Sequence, residues 1–276
     1  MIKKFPSPGR ISRAPLVLLC AASTLLCATG VAAQGFAAIV SPPRFELTAK
    51  PGEKVRQVIE IGNAGTQAAK YHFKTADWTL DKSGGVSFDE SLQPGSCRPW
   101  VAIEKREVTV AGGGKYRYRF EVAPPADAPA GECRFALLIE GDEQTVKAAN
   151  GPPVPVAGRI GVIVYLSIGG AAPKLELVGS QVATINGEAT PVLQIKNSGN
   201  AHGRLDGFLS GTDAGGKKLE FSLSTLPVLP GETRTISLII NRGEQEALTK
   251  IKFPITVRGN LEWADKSVPF EQRFTP

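Results

Sequence analysis

Histidine and cysteine are scarce in this chain, two and four among 276 residues, and their scarcity closes off most metal chemistry. His72 and His202 stand far apart in sequence and far from every cysteine, so no ligand spacing of the zinc type exists. Catalytic signatures are missing too. There is no HExxH and no Walker loop, and "GFLSG" (207–211) sets Ser210 off the G-x-S-x-G register of a nucleophile elbow. "AGGGK" (111–115) is glycine-rich but lies between two strand patterns, which makes it a hairpin turn; a phosphate loop would lead into a helix. Helical periodicity is also missing, apart from a turn or two over Gly243 to Lys250. No cofactor is expected.

A long apolar run occurs only at the start. Lys3, Lys4, Arg10 and Arg13 precede an apolar stretch from Leu16 to Ala28, and Val31 with Ala33 fits the small-residue cleavage rule. This reads as a secretory leader, residues 1–33, cut after Ala33. The run is short of the ~20 residues of a spanning helix, so stable membrane insertion after cleavage is not expected. Leu19 and Leu26 stand where a small residue would precede a lipidated Cys20 or Cys27. Removing four basic and no acidic residues lowers the formal charge from +6 to +2, which is no cationic footprint for nucleic acid. Cys97 and Cys133 are then the remaining pair, and an exported chain joins them. That bond is worth roughly 3–4 kcal/mol on the chain-entropy view.

What fills the chain is short alternating runs, among them "VRQVIEIGN", "YRYRFEV", "CRFALLIEG", "RIGVIVYLSI", "TPVLQIKNSG" and "RTISLIIN", separated by Pro-Gly and Asn-x-Gly turns. "PGEKVRQVIEIGNAG" (51–65) is echoed by "PVLQIKNSGN" and "LPGETRTISLII". The repeat and the strand spacing predict an all-β chain of two sandwiches, residues 34–169 and 170–276, divided near "GGAAPK" (169–174). In each, Pro-Gly-Glu turns into a strand and Asn-x-Gly leaves one, with Gly or Asn at positive φ. Lys115, Arg117 and Arg119 alternate with Tyr116, Tyr118 and Phe120. An aromatic row facing the core beside a solvated cationic edge is the first reading of that run, and anionic-surface binding the second. In "RIGVIVYLSIGG" (159–170), Ile160, Val162, Val164, Leu166 and Ile168 share one face of a strand.

Three stretches carry a family resemblance: "SPPRFELTAKPGEKVRQVIEIGNAGTQAAKYHFKTADW" (41–78), "PWVAIEKREVTVAGGGKYRYRFEVAPPADAPAGECRFALLI" (99–139) and "RIGVIVYL". They resemble the first domain of the periplasmic pilus-assembly chaperones of the chaperone/usher pathway. "LQIKNSGNAHGRLDGFL" and "LPVLPGETRTISL" are similar to the second domain of divergent, archaic-type members. The resemblance implies two immunoglobulin-like β-sandwich domains set at an angle, a periplasmic location, and pilus or surface-protein subunits as partners, with an outer-membrane usher as the pathway's further component. It implies donor-strand complementation, in which the last first-domain strand completes an unfinished subunit; residues 160 to 168 are the expected donor row. It also implies two basic residues that hold the subunit's terminal carboxylate. Arg44 matches the first, and Arg159 is the candidate for the second, although Gly161 stands at the strict family position.

Two features depart from the family. Pro152, Pro153 and Pro155 occupy the approach to Arg159, where prolines cannot pair as a regular ladder, so the donor is expected to begin at Arg159 or to be shortened. Cys97 lies outside the last two first-domain strands, so the bond is expected to be structural. The alternative function is an immunoglobulin-like structural or adhesive module of the cell envelope. A hydrolase using Asp77, Asp81, Asp89 and Glu90 is a third reading, against which stands the common use of acidic loops for solubility.

Overall fold

The computed structural model describes residues 36–147, 152–241 and 251–276. The leader and the turn expected over residues 243–250 lie outside the described residues.

The chain is all-β. In the first sandwich, one sheet runs in the order β1 (Ala38–Ser41), β3 (Val55–Asn63), β8 (Lys115–Val122), β6 (Val101–Ile103). The facing sheet runs β2 (Arg44–Ala49), β12 (Arg159–Ile168), β9 (Gly131–Gly141), β4 (Ala69–Leu80), β5 (Val86–Asp89), with β7 (Glu107–Val110) on the other stretch of β4. A small hairpin, β10 (Gln144–Lys147) and β11 (Pro153–Val156), extends from β9 and β12. Alternation decides which face goes inward: Ile59 and Ile61, Tyr118 and Phe120, Phe135, Leu137 and Ile139 meet between the sheets. Each large side chain so buried contributes roughly 1.5–3 kcal/mol. The aromatic row of β8 is therefore core, as its alternation predicts.

The second sandwich is one continuous path of seven strands that curls on itself: β13 (Leu175–Ile185), β14 (Glu188–Asn197), β17 (Thr233–Ile240), β16 (Lys218–Leu223), β15 (Leu209–Thr212), β18 (Ile255–Trp263), β19 (Lys266–Phe274). Leu193, Ile195, Phe221, Ile236, Leu238 and Val257 fill it.

The internal repeat has a physical basis that composition does not reveal. Glu53 and Glu232 each fold back to accept the amide three residues earlier, Lys50 at 2.8 Å and Leu229 at 3.0 Å, and Gly52 and Gly231 take positive φ as expected. Asn63 and Asn197 are buried and do matching work. Asn63 Nδ2 donates to the carbonyls of Gln67 and Val110, and Asn197 Nδ2 to those of Ala201 and Val228. Their Oδ1 atoms accept from Gly65 and Gly199. Neither Asn nor these two glycines takes positive φ. The Asn is required for its amide, and Gly199 for the closeness of the backbone at Ala172 and Lys174.

The sandwiches dock through the outer face of the β2–β12–β9–β4–β5 sheet. Ala76, Trp78, Ala136, Leu138 and Tyr165 form a second apolar cluster there, covered by Leu80, Phe88 and Ile163 of the same sandwich and by Leu229 of the second. Buried Arg234 donates to the Asp81 carbonyl at 2.8 Å, and Glu132 N donates to the Asn200 carbonyl at 2.8 Å.

Candidate functional site

Strand β12 is flanked unequally. Its full length pairs antiparallel with β9, Arg159 opposite Glu140 through Ile168 opposite Gly131. On the other side β2 runs parallel, but only from Ile163 opposite Arg44 to Ile168 opposite Ala49. Among the described residues, Arg159 to Val162 have one unpaired margin. Beyond them, among the described residues, β11 pairs with β10 alone, Gln144 opposite Val156 to Lys147 opposite Pro153.

The side chains divide the same way. Val162, Val164, Leu166 and Ile168, expected as the donor row, are buried in the first sandwich's own core, and Ile160 is half-buried. This corrects the sequence reading for Val162 to Ile168: their even-numbered side chains pack with Phe135 and its neighbours in the core rather than facing a partner. The sequence alternation runs on into the hairpin, although the hairpin register is displaced by one residue from that of β9 and β12. Val154 and Val156 have the same parity as Ile160, and they are 49% and 50% exposed. Pro153 and Pro155 do not prevent the strand, correcting a second expectation, because an edge strand needs donors on one side only.

Phe36 marks the point where the row leaves the core. At Gly158, any Cβ would stand 2.0 Å from Phe36 Cγ, and at Gly141 it would stand 2.7 Å from Phe36 Cδ2. Gly141 N donates to the Gly158 carbonyl at 3.1 Å, so the two glycines form a slot. The ring lies edge-on to Tyr71 at 6.0 Å and closes the end of the sandwich.

The two basic residues expected as an anchor do not meet. Arg44, about half exposed, binds Glu46 Oε1 through Nε at 2.9 Å. That same oxygen lies 3.4 Å from Arg204 Nε and 3.6 Å from His202 Nε2 of the second sandwich. Burial pushes the Glu46 carboxyl up, yet His202, Arg44 and Arg204 outweigh it and hold the group below the ordinary carboxylate range. His202 stacks on Tyr165, centroids 3.8 Å apart, and its amide donates to buried Glu132 Oε2 at 2.9 Å. Glu46, Tyr165, His202 and Arg204 line a cleft of about 310 Å³ with Thr48, Ser167 and Pro173.

Arg159 belongs to another cluster. It pairs with Glu140 and, at 3.2 Å, with Glu90, while Lys74 Nζ lies 2.8 Å from each of those carboxylates. Arg44 sits level with Ile163, four residues along β12, or ~13 Å of strand. Between them the Phe88 ring occupies the space over Gly161.

The acidic group holds loops together. Asp77 accepts from Ser96 Oγ at 2.7 Å, Gln93 N and Arg98 Nη1; Asp81 accepts from Ser83 and Gly85 within its turn; Asp89 accepts from Ser91 and Gln93; Glu90 belongs to the Lys74–Arg159 cluster. Arg98, unmarked by any sequence motif, is the organiser: it also donates to the carbonyls of Thr75, Glu90 and Ser91. It fixes Cys97 beside β9, where Cys97 and Cys133 are joined with Cα atoms 5.9 Å apart. Among the described residues no three His, Cys, Asp or Glu side chains gather as metal ligands, and no helix is long and apolar enough to cross a membrane.

No family model and no curated protein matches the chain. Among solved structures it is similar to the class 5 fimbriae chaperone CfaA, at 12% identity and TM-score 0.46 over 87% of this chain and 99% of that one. It is similar to a chain of the CsuC–CsuE chaperone–tip adhesion subunit complex from archaic chaperone-usher Csu pili of Acinetobacter baumannii, at 14% and 0.44 over 87% and 99%. A chain of the Salmonella enterica SafA pilin–SafB chaperone complex is similar at 12% and 0.46 over 87% and 97%.

Proposed function

We propose that the protein is an exported, periplasmic chaperone that lends strand to an unfinished β subunit, with Val154, Val156 and Ile160 as the donated side chains. The observation that carries this reading is the margin of β11 and of Arg159 to Val162, unpaired among the described residues, beside which Val154 and Val156 stand exposed. A partner groove that took the two valines would remove roughly half of each from water, worth about 1 kcal/mol apiece, beside hydrogen bonds along the margin. The mechanism uses no nucleotide and no metal. Arg44 would receive the partner's terminal carboxylate at the open end of β2, and Arg204 is the second cation that stands nearby. Arg159, engaged by Glu140 and Glu90, would orient the sheet edge.

The test is co-expression with an immunoglobulin-like surface subunit lacking its last strand. Val154→Glu with Val156→Glu is expected to abolish recovery of the subunit while leaving the chaperone's melting temperature unchanged, since both side chains are exposed. Unchanged recovery overturns the reading. Substituting Val162 or Leu166 by Glu would not test it, because a charge there would unfold the sandwich.

A further inference from the structure

We infer that Pro153 and Pro155 turn the open margin of β11 into an edge with acceptors and no donors, which takes a partner strand whose amides face it and refuses a second copy of itself. This rests on the strand-lending reading and specifies the kind of partner.

Backbone orientation comes first. Gly158 O receives the Gly141 amide, and Ile163 N donates to Pro43 O at 3.4 Å. Even-numbered groups of this strand therefore face β9, and odd-numbered groups face β2 and, beyond it, the open margin. The alternation puts the nitrogens of Pro155 and Pro153 on the open side. The hairpin register is displaced by one residue from that of β9 and β12, Gln144 opposite Val156 against Arg159 opposite Glu140. Proline chemistry fixes the orientation across that irregularity. Two prolines at alternate positions share one side, and were that side turned to β10, the hairpin would lose every donor from β11. The amides of Val154 and Val156 thus serve β10, and the margin offers the carbonyls of Pro153 and Pro155 alone.

Hydrogen-bond complementarity then selects the occupant. A second copy laid antiparallel along the margin brings the same donor gap at 153 and 155, so carbonyls of both copies go unpaired. A strand with ordinary amides satisfies them. An exposed apolar edge is an aggregation hazard, and here it is blunted against itself without being closed to others.

The experiment uses the mature chain with Pro153→Ala and Pro155→Ala, followed by sedimentation from micromolar to millimolar concentration. The wild type is expected to remain monomeric. The double variant is expected to dimerise on the order of a hundredfold more tightly, with residues 153 and 155 protected from amide exchange and Val154→Glu reversing the association. A variant as monomeric as wild type, with Val154 and Val156 amides still protected by β10, overturns the inference, as does a wild type that dimerises through residues 153–156. Subunit recovery separates the two ideas. Recovery that depends on the valines beside a monomeric proline variant sinks the inference alone; recovery indifferent to the valines beside a dimeric variant sinks the strand-lending reading alone.

Discussion

Replacing Asn197 by Ala tests whether the internal repeat is held by buried amides. Asn197 is 0% exposed and its side chain makes four hydrogen bonds, donating to the carbonyls of Ala201 and Val228 at 2.8 Å each and accepting from Lys174 N at 3.1 Å and Gly199 N at 2.9 Å. Val228 O keeps the Gly203 amide, and the exposed Lys174 amide gains water. The buried Ala201 carbonyl and the half-buried Gly199 amide lose their partners. With a penalty of ~1–3 kcal/mol for each such group and a small cavity, the expected cost is about 3–4 kcal/mol. That lowers the melting temperature of a sandwich this size by roughly 10–15 °C. Asn63→Ala is the internal comparison. It breaks three bonds, one of them to the carbonyl of exposed Gln67, so about 2 kcal/mol is expected. Urea midpoints measured on both variants decide the matter. A cost below ~1 kcal/mol for Asn197→Ala, or a larger cost for Asn63→Ala, refutes the reasoning.

Reducing the Cys97–Cys133 bond, or replacing both residues by serine, should destabilise the first sandwich by roughly 3–4 kcal/mol, given 36 residues of separation; denaturant curves with and without reductant check it, and a loss below ~1 kcal/mol would be inconsistent. Because the Glu46 carboxyl is lowered in the folded state, its contacts stabilise above the unfolded value of ~4.3 and are lost as pH falls through the lower folded value. Glu46→Gln should therefore be less stable than wild type at neutral pH and equal to it in acid; a gap that persists unchanged to about pH 3 contradicts this. Gly161→Val should cost ~1–3 kcal/mol by displacing Phe88 from the space above Gly161. A variant with wild-type stability and an unaltered Phe88 environment by NMR would show that space to be open.

The strands, the two sandwiches and the cysteine pair were legible because each rests on local pattern: period-2 alternation, turn residues and a count of thiols. The donor row was legible in its parity and illegible in its extent. Alternation says that Ile160 to Ile168 share a face, but whether that face meets a core or a partner depends on β2, which comes from 115 residues earlier and covers β12 only from Ile163. Val154 and Val156 carry the same parity, but Pro153 and Pro155 obscure the strand at the level of sequence. The anchor failed for the same kind of reason. Arg44 and Arg159 lie on the same face of one sheet, yet Phe88 and Glu140 from other strands and Glu90 from the loop after β5 separate them.

One alternating row thus serves two environments, and the boundary between them is built by three residues without neighbours in sequence. An uninterrupted row would either sink wholly into the core, leaving nothing to lend, or emerge gradually and expose the core's end to water. Gly141 and Gly158 create a slot at the boundary, and Phe36 fills it. Side chains inside the plug support the fold, and those outside it are spared that task. This is why Val154 and Val156 accept charge at little cost to stability, while Val162, six residues on, does not.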